Sequence, residues 1–218
     1  WSGTVAGDNS LVLKVYFIQK FTVAYTPGTH GTFATQTTNG IDFGATTPEF
    51  EGTLTHEEGY DFDGWEPTPE SKVRANAEYV AKWKSHEYNI TCILDGGTVE
   101  AGNPTKYTIS SESFTLNNPT KTGYTFKGWS GTGIDGQSTT VTIAKGSTGD
   151  RVYTANWEAI NYTISCNLKG GSLGIDETTG DEITNPENYN VETETFTLNN
   201  PRKTGYVFEG WTGTDLTE

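Results

Sequence analysis

Gly123-Tyr124-Thr125-Phe126-Lys127-Gly128-Trp129 is one of three closely similar phrases in the chain, the others being Gly59-Tyr60-Asp61-Phe62-Asp63-Gly64-Trp65 and Gly205-Tyr206-Val207-Phe208-Glu209-Gly210-Trp211. A phrase that returns whole at domain-scale spacing marks repeated modules. Tyr and Phe stand two residues apart and so share one face of a strand, while Asp61, Thr125 and Val207 take the other face. The paired glycines predict a turn at each end.

Working outward, a second phrase closes each module, Tyr79-Val80-Ala81-Lys82-Trp83 and Tyr153-Thr154-Ala155-Asn156-Trp157, with Tyr, Ala and Trp on one face. Five positions later a new module opens with Tyr88-Asn89-Ile90-Thr91-Cys92 or Tyr162-Thr163-Ile164-Ser165-Cys166, to which Phe21-Thr22-Val23-Ala24-Tyr25 corresponds. Between these lies Phe114-Thr115-Leu116-Asn117-Asn118-Pro119, repeated as Phe196-Thr197-Leu198-Asn199-Asn200-Pro201, with Phe50 in the equivalent place of the first module. Another aromatic precedes each of these by seven residues, at Phe43, Tyr107 and Tyr189. About five short strands per module are expected.

This frame gives the domain organisation. Trp1-Ser2-Gly3-Thr4 reads like Trp129-Ser130-Gly131-Thr132, so residues 1–17 are expected to be the C-terminal tail of a preceding repeat. Residues 21–84 form a divergent repeat and 87–157 a complete one. Residues 160–218 form a repeat that stops before its last strand. The junctions 84–87 and 158–161 have the same four-residue length, and connectors this short restrict the angle between neighbours. An extended rod of beads is the expected arrangement.

Composition narrows the function. Thirty-eight Thr and 26 Gly favour strands and turns, and helix-forming stretches are nearly absent. A net charge of −14 repels a phosphate backbone, which argues against nucleic-acid binding. The longest apolar run, near residues 11–18, is interrupted by Lys14 and falls far short of the roughly 20 residues of a membrane span.

The phrases Tyr88-Asn89-Ile90-Thr91, Leu94-Asp95-Gly96-Gly97, Gly123 to Trp129 and Tyr153 to Trp157 together resemble the Listeria/Bacteroides repeat family, which includes the internalin B repeat. The resemblance spans 87–157 in full and 160–218 as far as they go, with 21–84 a more distant variant. It implies tandem β-rich, β-grasp-like modules of mainly antiparallel strands in secreted or wall-attached bacterial proteins. Such modules serve commonly as spacers, sometimes with host-interaction roles. The resemblance implies no catalytic residues, and the helix that a β-grasp normally carries has no evident place in the sequence, so an all-β variant is the alternative.

Site candidates are each outweighed by a structural reading. All six Trp occupy framework positions and are expected in cores, where rings that recur in every repeat belong. Cys92 and Cys166 fill one slot of successive modules, the slot held by Tyr25 in the first, and read as free, inward-facing thiols. His30, His56 and His86 lie in dissimilar contexts and suggest no metal site. Asp61-Phe62-Asp63-Gly64 matches Thr125-Phe126-Lys127-Gly128 in register, so its carboxylates are polar strand positions and no calcium loop. The third module carries an insertion within 171–196 whose Asp176, Glu177, Asp181 and Glu182 lack the ligand spacing of an EF-hand. Asn89-Ile90-Thr91 and Asn161-Tyr162-Thr163 match glycosylation sequons but fall on strand and junction positions.

No catalytic, cofactor-binding or metal residues are therefore expected, and no cofactor. The leading expectation is a monomeric, non-enzymatic stalk that projects a functional domain from a bacterial cell surface or wall. The alternatives are an adhesin array that binds host protein or glycan through variable loops, above all 171–189, and accessory modules beside a secreted hydrolase.

Overall fold

The computed structural model describes Gly7 and residues 14–213. The Trp1-Ser2-Gly3-Thr4 segment, expected to belong to the C-terminal tail of a preceding repeat, lies outside the described residues. Twelve strands form and no helix is found among the described residues. They are β1 (Lys20–Thr26), β2 (Gln36–Asp42), β3 (Tyr60–Glu66), β4 (Ala77–Ser85), β5 (Tyr88–Ile93), β6 (Lys106–Tyr107), β7 (Phe114–Thr115), β8 (Tyr124–Gly131), β9 (Thr142–Ile143), β10 (Arg151–Ala159), β11 (Tyr162–Thr163) and β12 (Asn188–Tyr189). The expectation of about five strands per module thus resolves into four, six and two. Chain contacts define two compact units, one of residues up to 88 with 106–112 and 145–149, the other of 89–105, 113–144 and 150 onward.

In the first unit the sheet order is β2-β1-β4-β3. Its centre, β1 against β4, is parallel, and both flanking pairs are antiparallel. A parallel pair needs a crossover of a dozen residues or more. Here residues 27–76 supply it as two strands and loops, without the helix of a standard β-grasp. The alternation of β1 sends Phe21, Val23 and Tyr25 into the core with Val73 and Tyr79, and Ile41, Phe50, Trp65 and Ala77 pack around them.

The second unit repeats this plan. β5, β10 and β8 are consecutive in their sheet, with β5 parallel to β10 and β10 antiparallel to β8. Register confirms that the slots correspond: Tyr25 faces Tyr79 across the first parallel pair, and Cys92 faces Tyr153 across the second. β7 and β9 form a two-stranded antiparallel ribbon, as do β11 and β12.

In the first two phrases the second glycine does not end the strand. β8 and β3 each run through it, and their register shifts there, between Asn156 and Trp157 on the partner of β8 and between Phe62 and Trp65 in β3. Gly128 has φ of 130°, a conformation that a side chain would strain. The bulge has a packing consequence. Residues three apart in a regular strand face opposite sides. The extra residue turns Trp back to the side of Phe, so the two rings meet edge-on at 5.3 Å in Phe62–Trp65, 5.5 Å in Phe126–Trp129 and 5.6 Å in Phe208–Trp211.

The ring geometry therefore survives in the third repeat although 206–213 form no strand. No counterpart of β10 lies among its described residues to pair with this segment. Tyr206 and Val207 are accordingly exposed.

Candidate functional site

The recurring aromatics are the first surface to test, because a glycan platform needs a free ring face. Phe126 sits edge-on between Trp129 and Trp157, and Phe62 between Trp65 and Trp83. Trp129 is fully buried. Four indole N–H groups donate inside their own repeats: Trp83 to Pro27 O at 2.7 Å, Trp157 to Leu94 O at 3.1 Å, Trp129 to Asn118 Oδ1 at 3.0 Å and Trp211 to Asn200 Oδ1 at 3.2 Å. The equivalent slots thus make equivalent bonds. Opening-strand rings also pair, Tyr88 with the buried Tyr107 at 5.5 Å and Tyr162 with Tyr189 at 5.4 Å, the last two being exposed.

Behind these rings lies a clasp that the sequence reading did not single out. Asn103 accepts the backbone N–H of Asn117 at 2.7 Å and donates to its carbonyl at 3.0 Å. Asn185 does the same to Asn199, at 2.6 and 3.3 Å. The signal was available, since an Asn-Pro dipeptide stands 14 residues before the first Asn of Asn-Asn-Pro in both repeats.

Cys92 and Cys166 are free and half-buried. Burial pushes the Cys92 thiol up, against a smaller opposing hydrogen bond from Asn103. A thiol so placed is a packing group with little thiolate character. The histidines are dispersed: His30 stacks on Tyr60 at 3.6 Å, His56 packs near Trp83, and His86 pairs with Asp61 at 2.9 Å. Asp63 pairs with Lys84 at 3.3 Å, so the two carboxylates of the calcium-like phrase are engaged separately. Of the sequon asparagines, Asn89 meets Asp150 and Asn161 accepts from Asn190. Among the described residues no group of three or more His, Cys, Asp or Glu is placed to hold a metal ion.

The insertion of the third repeat has a shape of its own. Ile175 bridges Glu182, and Asp176 N–H donates to Asp181 O at 2.8 Å, making a small hairpin. Asp176 caps its turn by accepting the Thr178 N–H at 2.8 Å, and these backbone donors hold its carboxyl below the usual range. Beside the hairpin is an open cleft of about 740 Å³, whose apolar wall includes Ile164, Leu168, Leu173, Ile175 and Ile183. The matching cleft in the second repeat, lined by Ile90, Cys92 and Leu94, is about 220 Å³; there β5 is paired with β10, a strand without a counterpart among the third repeat's described residues.

No helix of the described residues is long and apolar enough to cross a membrane. The family model of the Listeria-Bacteroides repeat domain matches residues 88–155 and 162–217. A protein of Evansella cellulosilytica named "Putative membrane protein" is 27% identical over 177 residues, which cover 74% of this chain and 24% of that protein. The chain therefore spans about a quarter of the length of that relative.

Proposed function

The chain belongs to the Listeria-Bacteroides repeat domain family, and from that premise we propose that it is a run of non-catalytic spacer modules in a secreted or wall-attached bacterial surface protein. The modules extend a functional domain away from the envelope. The observation that carries this reading is the internal use of the indoles: four Trp donate to groups of their own repeats, as core members do and stacking platforms do not. The name of the Evansella relative agrees with an envelope setting.

Small-angle scattering of the monomer tests it. A single compact body of 218 residues would have a radius of gyration of about 17 Å, whereas three beads of roughly 70 residues in line give about 25 Å. A value near the compact figure sinks the spacer reading.

A second reading is favoured by one feature, the hairpin that the third repeat's insertion forms. In it the 171–189 loop contacts a host protein or glycan. Deleting 174–183 and measuring attachment to host cells and to a glycan array separates the two readings. Unchanged attachment removes the loop from any contact role.

A further inference from the structure

The first glycine of the recurring phrase is met in two repeats by a side chain from the repeat that follows. A Cβ added at Gly59 would lie 2.8 Å from Cδ1 of Ile109, and one added at Gly123 would lie 2.9 Å from Cβ of Val191. Both glycines have positive φ, 90° and 79°. Ile109 belongs to the same compact unit as Gly59, and Val191 to the same unit as Gly123.

Three further features repeat with this contact. Ile109 and Val191 each stand two residues after the recurring tyrosine, Tyr107 or Tyr189. The loop that carries each is shaped by the same turn: Ser111 N–H donates to Thr108 O at 3.0 Å and Ser111 Oγ accepts the Thr108 N–H at 2.9 Å, while Thr193 and Asn190 make the same two bonds at 3.1 and 2.8 Å. The linker closes on the same glycine carbonyl, with His86 N–H on Gly59 O at 2.8 Å and Ile160 N–H on Gly123 O at 2.9 Å. Each junction adds a polar contact of its own, Thr148 Oγ1 to Glu58 at 2.7 Å and Tyr124 Oη to Glu192 at 2.9 Å. Gly205, the third member, has the same positive φ and no atom within 4 Å of where its Cβ would lie.

We propose that this glycine turn is an interaction surface for the following repeat: a socket whose plug is the β-branched aliphatic residue two positions after the recurring tyrosine. The glycine is required because any Cβ would occupy the plug's place. The plug covers the turn, and the covered turn holds the linker amide, so each linker is ordered by the repeat after it. Coupling of this nearest-neighbour kind makes the stability of one repeat depend on the next.

Amide hydrogen exchange of the full chain tests the joint. In Ile109→Ser the His86 amide is expected to exchange at least about ten-fold faster while the core amides of Val73 and Ile90 and the Ile160 amide keep their rates. Val191→Ser should do the reverse, exposing Ile160 and sparing His86. Ile109→Val, which installs the residue of the other junction, should leave His86 protected. Unchanged protection of His86 and Ile160 in the serine variants overturns the proposal. So does loss that spreads equally to Val73 and Ile90, since Ile109 would then be an ordinary packing residue. An array with loose joints still scatters as an extended particle, so failure here leaves the spacer reading intact.

Discussion

Replacing Trp129 with alanine removes a fully buried indole that packs edge-on against Phe126 and donates to Asn118, while the backbone bonds with Ser138 at 2.7 and 2.9 Å remain available. A large aromatic buries roughly 150–250 Å², which at about 25 cal/mol per Å² corresponds to roughly 4–6 kcal/mol as an upper bound. Truncation of buried Trp to Ala accordingly costs about 3–5 kcal/mol. A repeat of roughly 70 residues has a total stability of only about 3.5–10 kcal/mol. The second repeat should therefore be close to unfolded in Trp129→Ala. Trp211 fills the same slot with the same Asn partner but is less completely buried, and its truncation should cost less, about 2–4 kcal/mol by the same area argument. Exchange rates of the Leu116 and Thr120 amides, which bond to Val141 O and Thr98 O, report the second repeat without interference from the others. If Trp129→Ala leaves them protected, or proves milder than Trp211→Ala in its own repeat, the assignment of these rings to structural cores is wrong.

Gly128→Ala should destabilise the second repeat by about 2–3 kcal/mol, because the residue has φ of 130° and its Cβ would lie 2.9 Å from the Ser138 backbone. Gly210→Ala, with φ of 144° and open space around it, should cost only the backbone strain, about 1–2 kcal/mol, and urea titrations of the paired variants compare them. For Asp176 the folded carboxyl is depressed, chiefly by the Thr178 N–H and then that of Thr179, so its hairpin gains stability above the unfolded-state value and loses it as pH falls through the folded one. An NMR titration followed at the Thr178 amide should give a midpoint below that of an aspartate in an unstructured peptide. Asp176→Ala should loosen the turn without touching β11 or β12.

Much of the strand pattern was legible because alternation is a local property. Phe21, Val23 and Tyr25 face inward as their spacing requires, and Tyr79 with Ala81 does the same in β4. The parallel centre of each sheet was not legible. Which strand lies beside β1 is decided across more than 50 residues of intervening chain, and no local period records it. The bulge glycine was misread as a turn for a related reason. A glycine next to an aromatic is compatible with either, and only the partner strand reveals that Phe62 and Trp65, three apart, must reach the same side.

The parts of the candidate site that escaped sequence reading share a physical character. Asn103, Ile109 and Val191 lie in loops, where composition varies and neither alternation nor burial singles a residue out. Their importance comes from backbone groups they satisfy or cover: the Asn117 N–H, and the turn that accepts the linker amide. Loop groups of this kind become visible in sequence only when the same offset is measured from a framework residue in two repeats. Internal repetition therefore does more here than identify modules. Two independent instances of the same bond, at Asn103 and Asn185, or at His86 and Ile160, separate what the fold requires from what each loop happens to contain. On that criterion the insertion at 171–189, which has no second instance, is the first place to look for a function specific to one repeat.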